Sequence, residues 1–307
     1  MSQTNQPGTE QATAAVESVT GEAPLTQASL WGDAWRQLRK SPLFLLSAFL
    51  VLFFTVMAVA PQLFTDADPR TCDLSHSVEP PSAGHIFGYD IQGCDYLSRV
   101  VYGARASMAI GLLVVGVESS IAVMLGSAAG YYGGTLDAIV ARVADVIFAI
   151  PVVLGGIVLL TAFEDRGLIQ VSLVLVLLGW PTLMRLMRST VLSVKQMDYV
   201  AAARSLGAND LRILRVHILP NAIAPVVVYS TITVGIIIAA EAALTFLGVG
   251  LQLPAISWGL QISGAETRLL SSPHLLFFPS AALVLVVLSF ILMGDALRDA
   301  LDPKLRL

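Results

Sequence analysis

Two acidic side chains lie in or beside long apolar runs of the sequence. Glu118 falls inside the run Ala106–Tyr131, and Glu241 directly follows the uncharged run Ile218–Ala240. A charge at the centre of a bilayer costs about 2.5–3.5 kcal/mol on insertion scales, so such acids are candidates for a functional role. They would line a polar path or meet an amino group. The alternative is a structural hydrogen bond or a protonated acid between helices; we favour it for Glu118 and assign Glu241 no ligand.

The two cysteines offer a second kind of chemistry. Cys72 and Cys94 are the only cysteines, and both fall between the first and second apolar runs. An even number of cysteines in an oxidising compartment indicates a disulfide. The bond would close a loop of about 20 residues and contribute roughly 3 kcal/mol in the chain-entropy model. The alternative is two free thiols that never meet.

Other common chemistries are missing from the sequence. The dipeptide Gly-Lys never occurs, so there is no phosphate-binding loop of the form G-x-x-x-x-G-K-[ST] and no sign of ATP hydrolysis by this chain. The four histidines are scattered, which argues against a metal cluster, and the net charge of −4 gives no indication of nucleic acid. We therefore predict no catalytic residue, cofactor or metal in this chain, and no enzyme activity.

The composition indicates that lipid surrounds most of the chain. Hydrophobic residues make up 55% of the sequence and charged residues only 13%, about half the usual charged fraction of soluble domains. Six apolar runs are long enough to cross a bilayer as helices: Leu43–Phe64, Ala106–Tyr131, Val146–Phe163, Gly167–Met184, Ile218–Ala240 and Leu269–Gly294. The runs do not alternate as barrel strands do. The sequence thus predicts an all-α integral membrane protein with six transmembrane helices.

A further apolar stretch, Ala242–Ala265, contains five residues that disfavour a straight spanning helix: Gly248, Gly250, Pro254, Gly259 and Gly264. We interpret the stretch as an external, partly re-entrant loop, because irregular backbone at membrane depth is tolerated against protein or water. Pro151 and Pro181 are expected to kink helices or mark their ends. Four glycines are expected to allow close helix packing: Gly111, Gly116, Gly126 and Gly130.

The basic residues predict the orientation. With both termini in the cytoplasm, 13 of the 18 Lys and Arg residues lie inside, as basic residues do in most membrane proteins. Residues 1–30 contain three Glu and no Lys or Arg, which is typical of a disordered tail. We therefore expect a disordered cytoplasmic tail over 1–30 and a membrane domain over 31–307. External loops are expected near 65–104 and 248–270, and a cytoplasmic loop near 187–219.

The segment from Lys195 to Asn221 has the strongest local pattern. Helix formers over Asp198–Leu206 predict a short helix that ends at Gly207, and Asn209 is a suitable N-cap for a second helix that begins at Asp210. Leu211, Leu214 and Ile218 would share one face of this helix. The segment is either a connector on the membrane surface or a docking element for a cytoplasmic partner, and the pattern alone does not choose.

This segment resembles the cytoplasmic loop of ABC-importer permeases, whose pattern is E-A-A-x3-G-x9-I-x-L-P. The residues that match are Ala202, Ala203, Gly207, Leu219 and Pro220, whereas Ala201 and His217 replace the Glu and Ile. The sequence pattern D-Y-V-x-A-A-R-x-L-G, followed by H-I-L-P-N, is similar to that of the dipeptide, oligopeptide and nickel branch of the family.

Other segments also resemble that branch. They are Phe87–Asp90, Gly93–Asp95, Leu97–Arg99, Tyr102–Arg105, Gly130–Gly134 with Asp137, and Glu241–Gly248 with Trp258-Gly259. Cys94 stands where the branch usually has Arg, which supports a special role such as a disulfide. The resemblance extends from about Trp31 to the C-terminus.

The resemblance implies a type I importer permease fold, which forms half of a translocation path for peptides in the cell membrane. It implies a second, homologous permease, cytoplasmic ATPase subunits that carry the ATP and Mg, and an external substrate-binding protein. The residues implied to couple the ATPase to the membrane helices are Asp198, Tyr199, Ala202, Ala203, Gly207, Asp210, Leu211, His217 and Pro220.

Two other classes of membrane protein remain as alternatives. An ion-coupled secondary transporter often shows internal repeats and charges at the midplane, but we find no clear repeat and only Glu118 is central. A scaffolding subunit would have no transport path. The choice of cargo among dipeptides, longer peptides, nickel chelates and glutathione-like molecules is not encoded in any motif of this chain.

Overall fold

The computed structural model describes residues 30–301. The tail predicted over 1–30 therefore lies outside the described residues, apart from residue 30, which begins the first helix. The chain folds into helices, here numbered α1 to α11 in chain order. They are α1 (Leu30–Leu38), α2 (Pro42–Val59), α3 (Tyr96–Tyr132), α4 (Gly134–Phe148), α5 (Val152–Leu160), α6 (Leu168–Val194), α7 (Asp198–Ser205), α8 (residues 210–222), α9 (Ala224–Phe246), α10 (Trp258–Ala265) and α11 (His274–Leu301).

Five of these helices are long and apolar enough to cross a membrane: α2, α3, α6, α9 and α11. The third predicted span is wrong as a single helix over 146–163. The chain instead forms α4 and α5, which meet at an angle of 83°. Pro151 lies at the break and lacks the N–H that would continue the helical hydrogen bonds. The prediction that Pro151 interrupts a helix is confirmed, whereas Pro181 lies inside α6.

The contact between the first and the last described helix indicates whether the chain crosses the bundle an even or an odd number of times. Ala34 and Leu38 of α1 bury their side chains against Ala296 and Ala300 of α11. Both ends of the described chain therefore lie at the same end of the bundle, and the number of crossings must be even. Five long helices give an odd number, and the bent pair α4–α5 makes a sixth crossing if its two helices together form one span.

The helix ends determine where the connecting segments begin and end. The first loop ends at Asp95 rather than near 104, because the Asp95 carboxylate accepts a hydrogen bond from the Ser98 N–H at 2.8 Å and starts α3. Helix α6 continues to Val194, so the loop expected from about 187 begins at 195. The stretch Ala242–Ala265 does not span: α9 ends at Phe246, and the short helix α10 follows.

The bundle has two distinct ends. At one end, Trp258 of α10 donates to the Val100 carbonyl of α3 at 2.9 Å, and Tyr96 donates to the Leu275 carbonyl. This end also holds the cysteines, and we name it the disulfide end. At the opposite end of α3, Tyr131 contacts Asp210 of α8; we name it the loop end. Separate apolar clusters fill the two halves of the bundle.

Candidate functional site

Residues 195–223, here named the loop segment, join α6 to α9 at the loop end. Helix α7 runs from Asp198 to Ser205, and Gly207 then takes a φ of +82°, which L side chains rarely adopt. The Asn209 side chain accepts a hydrogen bond from the Arg212 N–H at 2.8 Å and caps α8. The predicted order of helix, glycine break, cap and second helix is therefore confirmed.

The predicted apolar face of α8 is wrong in part. Ile213 and Ile218 are fully buried, whereas Leu211 is 53% exposed. Residues Ile213–Ile218 form a π-helical turn, in which side chains five positions apart share a face. The sequence pattern assumed an α-helical repeat and therefore grouped Leu211 with Leu214 and Ile218 on one face.

Several large apolar side chains of the loop segment are exposed. Leu206, beside the glycine break, is 88% exposed, and the others are Met197, Tyr199, Leu211 and Val216. Partial desolvation raises the pKa of the Tyr199 phenol above its usual value, so the ring stays neutral. Exposed apolar groups clustered along so short a segment are typical of a surface that another protein or the membrane covers.

The other predicted residues of the segment have mixed environments. Ala202 is exposed, whereas the adjacent Ala203 of α7 is buried. The His217 carbonyl accepts a hydrogen bond from the Asn221 side chain at 2.7 Å. Pro220 lies in the last α-helical turn of α8, just before α9. These residues shape the segment, and none of them forms a catalytic constellation.

A hydrogen bond that the sequence pattern does not indicate ties the loop segment to the bundle. The Tyr131 hydroxyl, at the end of α3, donates to the Asp210 carboxylate at 2.6 Å. Lys195 donates to the Tyr131 carbonyl and places its ammonium 5.3 Å from the Tyr131 ring centre. Asp210, one of the predicted coupling residues, thus connects α8 directly to a helix that crosses to the disulfide end.

Ion pairs join the bent pair α4–α5 to α6 at the same end. Arg188 donates through two nitrogens to Asp137, one of them at 2.6 Å, and Arg185 donates to Asp145 at 2.6 Å. Bidentate arginine–carboxylate pairs fix orientation as well as distance. Asp137 and Arg188 are separated by 51 positions, so local sequence patterns carry no signal of this pairing.

The two buried acids have different surroundings. Glu241 is fully buried in α9 and accepts hydrogen bonds from Thr245 at 2.9 Å and from Ser107 of α3 at 3.4 Å. Glu118 is 1% exposed and lies against Gly179 of α6, and within residues 30–301 its Oε1 has no hydrogen-bond partner. The hydrogen bond from Ser107 joins α3 to α9 through Glu241, which supports a structural role for this acid.

Cys72 and Cys94 form a disulfide bond, which confirms the predicted pairing. Cys94 is buried, and its N–H donates to the Asp90 carboxylate at 2.9 Å. Hydrogen bonds from Ser75 lower the pKa of Asp73, the neighbour of Cys72, so its carboxylate stays ionised. Over the described residues, no group of three His, Cys, Asp or Glu is placed to hold a metal ion.

Comparison with known proteins adds an independent line of evidence. Residues 122–307 match the family model described as the binding-protein-dependent transport system inner membrane component. Residues 29–81 match the N-terminal transmembrane domain of oligopeptide transport permease C.

Curated relatives match over most of their length. The chain is 38% identical to the dipeptide transport system permease protein of Bacillus subtilis, over 89% of this chain and 86% of the relative. It is 37% identical to the oligopeptide transport system permease protein of the same organism, over 91% of each chain. A glutathione transport system permease protein of Pectobacterium atrosepticum is 38% identical, over 90% of this chain and 92% of the relative.

Proposed function

The chain belongs to the family of binding-protein-dependent transport system inner membrane components, and we propose that its loop segment couples an ATPase to the bundle. The chain is a permease subunit of an ABC importer, and the alternative of an ion-coupled transporter is not favoured. In the proposed arrangement, the loop end faces the cytoplasm and the disulfide end faces outward. A second permease completes the translocation path, ATPase subunits dock on the loop segment, and a binding protein delivers cargo at the disulfide end.

The exposed apolar side chains of the loop segment are the observation that carries this proposal. Leu206 and Leu211 are 88% and 53% exposed, although both belong to a segment with a fixed conformation. A docking partner that covers them would remove apolar surface from water, which is favourable at about 25 cal/mol per Å². The two short helices then act as a rigid lever, because Asp210 is held by Tyr131 and the buried Ile213 and Ile218 anchor α8.

We propose short peptides as the cargo. The relatives named above include dipeptide, oligopeptide and glutathione transport permeases, whose cargoes all contain amide bonds. Alternating access requires two discrete arrangements of the path, which nucleotide selects through different contacts in each. In this chain, the contacts from α8 to α3 and from α4 to α6 are the connections through which the ATPase would move the bundle.

The test is co-purification of the ATPase subunits with the tagged permease. Leu211→Glu places a charge on the proposed docking surface, and we expect ATPase binding to weaken roughly tenfold or more, as at a central interface residue. ATP-driven peptide uptake in reconstituted vesicles should fall with it. Leu74→Glu is the matched control, because Leu74 is 75% exposed but lies at the disulfide end.

The control variant should bind ATPase as the wild type does. If Leu211→Glu and Leu206→Glu both retain ATPase subunits and normal uptake, the loop segment is not the docking element. If the variants bind ATPase normally but lose uptake, the segment transmits motion without providing the binding energy, and the docking part of the proposal fails.

A further inference from the structure

We propose that a cleft at the disulfide end binds the terminal carboxylate of a short cargo peptide. The proposal rests on the proposed function, because it takes peptides as the cargo. The cleft lies between the first loop and the start of α3. Six of the residues that line it are Asp66, Asp68, Arg70, Tyr102, Arg105 and Ile256.

The cleft is large enough for a small peptide. It consists of a cavity of about 550 Å³ and an adjoining one of about 260 Å³, and both are lined by Arg70, Tyr102, Arg105 and Ile256. Ligand pockets usually measure about 300–1,000 Å³. The smaller cavity is also lined by Leu168, Leu251 and Pro254, which offer an apolar surface to a peptide side chain.

The two arginines provide the chemistry that recognises a carboxylate. Within residues 30–301, neither Arg70 nor Arg105 takes part in an ion pair, and both are exposed. Arg105 donates hydrogen bonds from Nε to the Ala58 carbonyl at 3.1 Å and from Nη2 to the Val59 carbonyl at 3.5 Å, and its guanidinium lies 5.8 Å from the Tyr102 ring centre. These contacts leave guanidinium N–H groups for a ligand, and such groups bind carboxylates through two parallel hydrogen bonds.

The acidic residues of the same cleft favour a peptide over other anions. Asp66 and Asp68 are exposed and line the larger cavity together with the arginines. The carboxylates repel a lipid phosphate or a free inorganic anion, but they attract the ammonium group of a zwitterion. A short peptide with both ends free carries the two charges that this cleft presents in complementary form.

The backbone around the cleft is held in place. The Asp68 carboxylate accepts a hydrogen bond from the Arg70 N–H at 2.9 Å. Ser98 donates to the Ala67 carbonyl at 2.6 Å, and Arg99 donates to the Pro69 carbonyl at 3.2 Å. The loop that carries Arg70 is therefore fixed on α3, and the site is formed before any ligand arrives, which lowers the ordering cost of binding.

The test measures binding of trialanine and of C-amidated trialanine by calorimetry. The sample is the permease–ATPase complex without its binding protein, without nucleotide, in nanodiscs of zwitterionic lipid. We expect the free peptide to bind at least tenfold more tightly than the amide, and Arg70→Gln to remove most of this preference. Arg268→Gln, at the same end but outside the cleft, should leave the preference unchanged.

Three outcomes would overturn the proposal. One is equal affinity for the free and amidated peptides, and another is an unchanged preference in both Arg70→Gln and Arg105→Gln. The third is that Arg70→Gln alters only the response to nanodiscs of anionic lipid, which would assign the arginines to lipid phosphate. Because no nucleotide is present, a failure of ATPase coupling does not affect this measurement. Wild-type importer that transports no peptide would instead overturn the cargo proposed above.

Discussion

The hydrogen bond between Tyr131 and Asp210 connects the proposed lever to the helix bundle. The bond is 2.6 Å long and joins the end of α3 to the first turn of α8. A hydrogen bond to a charged group contributes about 1.5–3 kcal/mol, more than a neutral one. Its loss would loosen the loop segment from the bundle while leaving the buried Ile213 and Ile218 in place.

We predict that Tyr131→Phe reduces ATP-driven uptake while ATPase subunits still bind. The number of ATP molecules hydrolysed per peptide transported should rise, because the lever moves without carrying the bundle with it. Tyr132→Phe is the matched control, since the adjacent Tyr132 is 57% exposed. An unchanged ratio in Tyr131→Phe would show that the bond is not part of the coupling path.

At the scale of single residues, the sequence predicts interactions between neighbouring residues and misses interactions between residues that are distant in the chain. Asn209 and Gly207 are recognisable because a cap and a helix end depend on neighbouring residues. The partners of Asp210 and Arg188 lie 79 and 51 positions away, so only the folded chain reveals them. The two buried acids look alike in the sequence, and only their contacts distinguish Glu241 from Glu118.

At the scale of helices, small residues determine how closely α3 and α6 approach. A Cβ added at Gly126 would lie 2.6 Å from the Met184 carbonyl oxygen, and one at Gly130 would lie 2.9 Å from the Arg188 carbonyl oxygen. Both oxygens belong to the backbone of α6, so they cannot rotate away. The prediction of close packing is confirmed at these glycines, but it is wrong at Gly116, where an added Cβ would have no atom within 4 Å.

We predict that Gly126→Ala lowers the free energy of unfolding by about 1–3 kcal/mol, the usual cost of overpacking. Gly116→Ala should change it by no more than about 0.5 kcal/mol, because its site is open. Thermal denaturation of both variants in one detergent provides the comparison. Equal stability of the two would mean that α3 and α6 are not in close contact at Gly126.

The bend between α4 and α5 shows that apolar runs alone do not predict the bounds of every helix. Helix α4 carries Asp137, Arg142 and Asp145, so it lies outside the uncharged run that predicted the third span. In the folded chain, Asp137 and Asp145 are paired with Arg188 and Arg185, so the helix tolerates them next to the bundle. A hydropathy run cannot show such pairing, because the partners come from another helix.

At the scale of the whole molecule, α3 puts the disulfide and the loop segment at opposite ends, because α3 begins beside Cys94 and its Tyr131, near the other end, contacts Asp210. The proposed orientation follows from the sequence, which predicts a cytoplasmic position for 13 of the 18 Lys and Arg residues. A disulfide is stable in an oxidising compartment, which agrees with an outward-facing disulfide end. With a sequence separation of 22, the bond stabilises the first loop by roughly 3 kcal/mol in the chain-entropy model.

We predict that a membrane-impermeant maleimide distinguishes the two ends in right-side-out vesicles. Leu74→Cys, at a site 75% exposed at the disulfide end, should be labelled without permeabilisation. Leu206→Cys, at a site 88% exposed in the loop segment, should be labelled only after the vesicles are opened. The wild-type chain should react only after reduction, because both of its cysteines are bonded.

Each result of this labelling constrains a different part of the proposal. Labelling of Leu206→Cys in sealed vesicles would put the loop segment outside, where no ATP is available, and the coupling mechanism would fail. Labelling of both variants from the same side would contradict the fold itself, because α3 separates the two sites by its full length. Reaction of the wild type without a reductant would leave the fold intact but show that Cys72 and Cys94 are not bonded in the membrane. The cleft would still keep the hydrogen bonds from Ser98 and Arg99 that hold the loop carrying Arg70.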